Sequence, residues 1–117
     1  MLRQKDTLGK KGEAQACVYL KKKGFKIIAK NYKNAIGEID IIAKDKDYTV
    51  FVEVKTRMSR AFGDPLEVIN QEKRNKIRNI ATMYLKERKQ LESNCRFDVI
   101  AVLGDNYDDI RHIENAF

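Results

Sequence analysis

Apolar residues recur at helical spacing in two segments of this 117-residue chain. In the first, residues 10–23, they fall three and four positions apart, at Ala14, Cys17 and Val18. Gly24 follows directly, and glycine commonly ends a helix. At about 100° per residue, Glu13 projects between Cys17 and Leu20, so this carboxylate borders the apolar stripe of the predicted helix.

The second helical segment, residues 71–89, has the longer pattern. Its apolar side chains follow the order i, i+3, i+4, i+7 and i+8, at Ile77, Ile80, Ala81, Tyr84 and Leu85. A loop that contains Gly63, Asp64 and Pro65 leads into this helix. The opposite side carries several lysines and arginines, as an ordinary solvated helix face does.

Three segments between the helices have the composition of β-strands: residues 25–30, 38–43 and 48–55. The charged turn at residues 44–47 is short, so the second and third strands are predicted to pair antiparallel.

Alternation along these strands assigns side chains to faces. In the second strand Glu38, Asp40 and Ile42 share one face, and Ile39, Ile41 and Ala43 share the other. In the third strand Glu53 and Lys55 lie on the face of Phe51, opposite the three valines Val50, Val52 and Val54.

A largely buried strand at residues 96–103 and a weaker edge strand at 110–113 complete the pattern. The predicted order is helix, three strands, helix, strand and edge strand. The long helix can carry the chain across the sheet, which places the fourth strand parallel to the third. We therefore expect residues 1–117 to form one α/β domain, a mixed β-sheet with helices on both faces.

Three charged residues interrupt the apolar strands at positions where burial is costly. Glu53 and Lys55 share one face of the third strand, and Asp40 lies beside Glu53 if the two strands pair through the short turn. Two carboxylates that close repel each other, and a divalent cation holds both of them ionised. Mg²⁺ or Mn²⁺ suits oxygen ligands, and Lys55 would then activate water or offset charge on a phosphoryl transition state.

The alternative is a solvated sheet face on which Glu53 and Lys55 form a cross-strand ion network and Asp40 is an acid near the turn. The domain would then bind nucleic acid or a protein partner without catalysing a reaction. The presence of all three residues together favours the catalytic interpretation.

The net charge of +7 is unevenly distributed. Residues 1–33 carry ten Lys or Arg against two acids, and residues 55–91 carry ten against four. Basic zones that flank an acidic centre attract a polyanion through counterion release. Nucleic acid is therefore the expected partner, and Arg57 and Lys73 are the candidate phosphate contacts.

Several other classes of protein are not supported. The longest apolar run, residues 99–103, is too short to cross a bilayer, so a cytoplasmic protein without membrane contact is expected. The two cysteines lack the spacing of a zinc site or a disulfide framework. The chain has no P-loop, dinucleotide fingerprint or HExxH motif.

The chain resembles the PD-(D/E)xK nucleases, because Asp40 is followed thirteen residues later by the tripeptide Glu53-Val54-Lys55. It is more specifically similar to the YraN-type bacterial proteins, which are predicted endonucleases related to archaeal Holliday-junction resolvases. That likeness is carried by blocks spread along nearly the whole chain: GE at 12–13, GEID at 37–40, FVEVKTR at 51–57, RFD at 96–98 and NAF at 115–117.

The resemblance implies a restriction-endonuclease-like fold, metal ligands at Asp40 and Glu53, a catalytic lysine at Lys55 and a helix acid at Glu13. Its implied activity is an endonuclease on branched or structured DNA, with DNA favoured over RNA. A resolvase needs two active centres to cut paired strands, and hence a homodimer. The sequence departs from the nuclease signature at one point, since Ile39 and not proline precedes Asp40.

Two further polar residues are assigned structural roles. His112 is the only histidine and falls in the weak last strand, where packing or an edge position is expected. Asp98 follows Arg96 in the buried fourth strand, which indicates an ion pair. Both are left outside the candidate site.

The charge distribution predicts nucleic-acid binding that weakens strongly with salt and does not need a divalent metal, because lysines and arginines supply the attraction. Binding of a labelled oligonucleotide should be followed by fluorescence anisotropy from low to moderate salt in the presence of a chelator. Affinity that stays flat across that range would contradict the prediction.

Overall fold

A computed structural model describes residues 4–57, 69–104 and 109–117, with the side chains of residues 4–8 outside the description. The elements are α1 (Gln4–Lys22), β1 (Lys26–Lys33), β2 (Glu38–Asp45), β3 (Tyr48–Arg57), α2 (Gln71–Glu87), β4 (Cys95–Leu103) and β5 (Asp109–Ile113). The predicted loop at residues 63–65 lies outside the described residues. Across the described ranges, no helix has both the length and the apolar character that a bilayer crossing requires.

The strands form one mixed sheet in the order β1-β2-β3-β4-β5. Neighbours pair antiparallel except β3 and β4, which are parallel from Thr49↔Cys95 to Arg57↔Leu103. The predicted parallel fourth strand and the edge strand are confirmed. The turn between β2 and β3 is shorter than predicted, since only residues 46 and 47 lie outside the strands.

The two helices cover opposite faces of the sheet, as predicted. On the α1 face, buried α1 side chains pack against Ile41, Ala43, Val50, Val52, Ile100 and Val102. On the α2 face, the predicted stripe of α2 packs against Ile39, Ile42 and Phe51. The interior of the sheet is therefore apolar on both sides, which accounts for the near-continuous apolar runs of β3 and β4.

The sheet-facing side of α1 differs from the prediction. Ala14 is exposed and Val18 is 46% exposed, whereas Ala16, Cys17 and Leu20 are buried. The close approach of α1 to β3 occurs at Gly12, so the sheet-facing stripe of the helix runs from Gly12 through Ala16 to Leu20 at steps of four. The helix also begins at Gln4, ahead of the predicted residue 10.

The face assignment of Ile39 was wrong. Ile39 packs with Ile42 on the α2 face, not with Ile41 on the α1 face. The backbone pairing of β2 with β3 extends only as far as Ile41↔Val52, and beyond it the side chain of Asp40 bonds to the backbone of β3. Regular alternation holds only where the ladder is regular, so it fails at this point.

Asp98 and His112 have the structural roles that were predicted. Asp98 is fully buried, and its carboxylate accepts from Arg96 Nε at 3.0 Å and from the backbone N–H of Asn115 at 3.0 Å. His112 Nε2 lies 2.7 Å from the same carboxylate. This cluster joins β4 to β5 and to the C-terminal residues.

Gly12 marks the closest approach of α1 to β3. A Cβ at this position would overlap Oγ1 of Thr56 and lie 2.9 Å from the Thr56 Cβ, whereas a Cβ at Gly9 would meet nothing within 4 Å. Threonine is short and stiff, so it cannot turn aside as a long side chain would.

Gly12→Ala should therefore lower the free energy of unfolding by about 1–3 kcal/mol through overpacking. Gly9→Ala in the same helix should raise it by roughly 0.5–1 kcal/mol, because alanine is the better helix former. Chemical denaturation of the two variants measures both effects. Equal changes in the two would show that α1 is not constrained at Gly12.

Candidate functional site

A cleft of about 300 Å³ opens where β2 and β3 separate beneath α1. Its lining includes the predicted residues Glu13, Asp40, Glu53, Lys55 and Arg57, together with Gly9, Val54 and Thr56. The sixth predicted residue, Lys73, contacts Glu53 from α2. Residues from α1, β2, β3 and α2 thus meet at one place, although up to sixty positions separate them in sequence.

Asp40 is held by the backbone of the neighbouring strand. Its Oδ2 accepts the N–H of Val54 at 2.8 Å. Burial, and then repulsion from Glu53, raises the pKa of Asp40 to about 7, although the Val54 hydrogen bond opposes the rise. A carboxyl group with this pKa is poised to exchange its proton for a cation near neutral pH.

Glu53 lies deeper in the same site, at 9% residue exposure. One of its oxygens, Oε1, lies 2.8 Å from Nζ of Lys73 and 3.6 Å from Nζ of Lys55. The side chains of Glu53 and Lys55 are each 11% exposed, so they do not form the solvated surface network of the alternative interpretation.

The two lysines respond differently to this environment. Burial, and then contact with Lys73, lowers the pKa of Lys55 to about 8. Burial alone would lower the pKa of Lys73, but its ion pair with Glu53 outweighs burial and raises it. Lys55 is consequently the amine that can lose its proton near neutral pH.

Glu13 reaches the cleft from α1. Burial, and then repulsion from Glu38, raises the pKa of this carboxyl, and it lies within hydrogen-bonding reach of Asp40. With its amide nitrogen turned toward the acids, Asn31 donates to Glu13 Oε2 and to Glu38 Oε1, each at 3.1 Å. Glu38 itself is exposed, as predicted.

Asn31 was missed by the sequence analysis. It has a φ of 51°, in the left-handed region that asparagine tolerates better than most residues. An asparagine within an otherwise strand-like run was the only signal, because the distance to Glu13 is set by the packing of α1 on the sheet.

The two candidate phosphate contacts occupy different positions. Arg57 lines the cleft and donates from Nη1 to the carbonyl of Thr56 at 2.9 Å. Lys73 lies in the first turn of α2, where its backbone N–H donates to the capping side chain of Asn70 at 2.9 Å. The Lys73 side chain is 39% exposed, so it reaches both Glu53 and solvent.

Among the described residues, no group of three His, Cys, Asp or Glu side chains is arranged as a ready-made metal site. The donor set suits a hard cation that keeps several waters and takes few protein ligands, as Mg²⁺ does. Asp40 and Glu53 fit that requirement, since both carboxylates line the cleft and Glu53 repels the ionised form of Asp40. That they share one cation stays a prediction.

Comparison with known proteins identifies the family. The model of the "Uncharacterised protein family UPF0102" matches residues 12–102, a range that contains all six candidate residues. The chain belongs to the UPF0102 family. It is similar to a UPF0102 protein of Clostridium acetobutylicum, at 46% identity over 93% of this chain and 92% of the relative.

Other UPF0102 relatives cover the chain as fully. A protein of Thermodesulfovibrio yellowstonii is 48% identical over 94% of this chain and 95% of its own length, and one of Alkaliphilus oremlandii is 49% identical over 94% and 97%. The predicted YraN-type resemblance is confirmed at the level of the family. The UPF0102 description names no reaction, so the activity has to be argued from the site.

The raised pKa of Asp40 predicts that this acid destabilises the metal-free fold at alkaline pH. Its folded pKa of about 7 exceeds the ordinary 3.8, so the fold loses stability as pH rises from about 4 to 7 and the loss is complete above pH 7. Asp40→Asn should therefore raise the free energy of unfolding at pH 8 by on the order of 2 kcal/mol, with a smaller gain at pH 5.

Asp98→Asn is the matched control with the opposite sign. Burial would raise the pKa of Asp98, but His112 and Arg96 outweigh burial and lower it, so its ionised form stabilises the fold above pH 4. The free energy of unfolding of this variant should be roughly 3 kcal/mol lower than that of wild type at pH 8. Denaturant titrations at pH 5 and pH 8 measure both, and destabilisation by Asp40→Asn at pH 8 would contradict the electrostatics assigned to the cleft.

Proposed function

We propose that this protein is a Mg²⁺- or Mn²⁺-dependent phosphodiesterase of nucleic acid, acting as an endonuclease on branched or structured DNA. The observation that carries the proposal is the meeting of Asp40, Glu53 and Lys55 in one concave cleft. Perturbed acids and amines that share a cleft are typical of functional sites. Nothing in an ordinary sheet requires two carboxylates and a lysine of lowered pKa at one place.

The architecture supports the same proposal. One helix, a three-stranded antiparallel unit, a second helix and a parallel fourth strand follow one another along the chain. This is the order that the resemblance to the restriction-endonuclease-like fold predicts. The resemblance to that fold family implies that Asp40 and Glu53 are metal ligands and that Lys55 is the catalytic lysine. These residues come from the start of β2 and the second half of β3, beyond the last paired residues Ile41 and Val52.

Asp40 and Glu53 would hold the cation through carboxylate oxygens. When bound, it would polarise a phosphodiester oxygen and lower the pKa of the attacking water. Asp40 would release its proton on cation binding, since the positive charge would offset the burial and the repulsion from Glu53 that raise its pKa to about 7.

Lys55 has two roles that its pKa of about 8 permits. Its ammonium form, the major one at neutral pH, stabilises negative charge that develops on the phosphoryl oxygens. Its neutral fraction accepts a proton from the water that attacks phosphorus. Glu53 and Lys55 differ by two positions on β3, so the strand itself fixes their separation.

Glu13 is proposed to orient Asp40 and the water in the cleft, because it lies in hydrogen-bonding reach of Asp40 and is itself held by Asn31. Arg57 at the cleft wall is proposed to contact phosphate. The net charge of +7 supplies the general attraction for the polyanion. Paired cuts in branched DNA would further require two copies of the chain.

One observation favours the alternative, a nucleic-acid-binding module without catalysis. Glu53 already has two ammonium partners, Lys73 at 2.8 Å and Lys55 at 3.6 Å. In a binding module these pairs would be permanent and a cation would not enter. Thermal melting with and without Mg²⁺ or Mn²⁺ separates the two functions, because a cation that binds the folded protein raises its Tm.

Substitutions in the centre should separate cleavage from binding. Asp40→Asn and Glu53→Gln should reduce metal-dependent cleavage to background while DNA affinity stays the same or increases, because each removes a ligand charge and a repulsion against phosphate. Lys55→Met should keep cation binding and lower kcat by about 10²–10⁴-fold.

The assay should use a synthetic four-way DNA junction, single-stranded DNA, duplex DNA and a matched RNA, each with Mg²⁺ and with Mn²⁺. Asp47→Asn, an exposed acid in the turn at the other end of β2 and β3, is the control that should cleave like wild type. Cleavage that persists in Glu53→Gln would place the activity elsewhere. Tight binding without cleavage of any substrate would favour the binding module.

A further inference from the structure

Lys73 connects the candidate centre to the outer, basic side of α2. Its Nζ lies 2.8 Å from Oε1 of Glu53, and Nζ of Lys55 lies 3.6 Å from the same oxygen. The Lys73 side chain is 39% exposed, whereas the side chains of Glu53 and Lys55 are each 11% exposed. Lys73 is therefore the member of this cluster that faces both the carboxylate and the solvent.

An ammonium group and a divalent cation compete for one carboxylate. Both are attracted to Glu53, and at a few ångströms they repel each other strongly in a partly buried site. Lys73 must consequently weaken cation binding for as long as it remains paired with Glu53.

A nucleic-acid phosphate offers Lys73 a second acceptor. Lysine carries its charge on a flexible four-carbon stem, and it binds phosphate as a point charge without a fixed geometry. The backbone of Lys73 stays anchored, because its N–H is bound by the Asn70 cap. Only the side chain has to move for the ammonium to exchange one acceptor for the other.

We propose that Lys73 couples the binding of the cation to the binding of nucleic acid, pairing with Glu53 in the free protein and moving to a phosphate when the cation binds Glu53. This coupling rests on the proposed function, since it requires a cation at Glu53. By thermodynamic linkage, bound nucleic acid then increases the affinity for the cation by the same factor by which the bound cation increases the affinity for nucleic acid. The protein would take up its metal mainly when substrate is present.

The test measures both sides of this linkage in wild type and in Lys73→Met. Ca²⁺ serves as the probe because it binds the same type of carboxylate oxygens. Calorimetry gives its affinity for the free protein, and anisotropy gives the affinity of a labelled four-way DNA junction with and without Ca²⁺ at constant ionic strength. Lys86→Met, which removes the same charge from the last turn of α2, is the matched control.

Lys73→Met should bind Ca²⁺ about tenfold more tightly than wild type in the free protein, and Ca²⁺ should no longer tighten its binding to the junction. Wild type and Lys86→Met should both show a Ca²⁺-dependent increase in junction affinity of about tenfold. Lys73→Arg should keep most of that increase, because it retains the charge.

If Ca²⁺ increases the affinity for the junction equally in wild type and in Lys73→Met, the coupling is overturned and the proposed metal site is left intact. If Lys86→Met also loses the Ca²⁺-dependent increase in junction affinity, that increase depends on the overall charge of α2, which also overturns the proposal. If wild type and Glu53→Gln bind Ca²⁺ equally, or wild type does not bind it, the proposed metal site fails and the coupling with it.

Discussion

The hydrogen bond from the backbone N–H of Val54 to Oδ2 of Asp40 is the interaction on which the candidate site depends. It occurs where the ladder between β2 and β3 has ended at Ile41↔Val52, so a side chain takes the place of a backbone acceptor. The strands can separate there without leaving the Val54 N–H unpaired. The same bond turns Asp40 into the cleft and Ile39 into the opposite core.

Asp98 is buried and Asp40 is partly buried, and the charges around these two aspartates differ. Asp98 is surrounded by donors and cations, so its pKa is lowered and it stabilises the sheet. Burial, and then repulsion from Glu53, raises the pKa of Asp40, because its one backbone donor does not offset them. The first acid is balanced by the protein itself. The second is not fully balanced by its neighbours, and a perturbed carboxylate in a cleft is typical of functional sites.

The site is assembled from both layers of the domain. Glu13 reaches the cleft because Gly12 lets α1 approach β3, and Lys73 reaches Glu53 because Asn70 fixes the start of α2. An apolar core on each face of the sheet holds these helices in place. Stability from that core offsets the electrostatic strain that is concentrated in the cleft.

The sequence by itself determined the element order, the parallel fourth strand and the α2 stripe, because each depends on local periodicity or short connections, and it nominated the six candidate residues. Tertiary structure decided the rest. The face of α1 that is buried depends on where Gly12 meets Thr56, and the face of Ile39 depends on a side-chain bond to another strand. The roles of Asn31 and of the Lys73 pair with Glu53 likewise arise from distances between residues far apart in the chain, which no local pattern encodes.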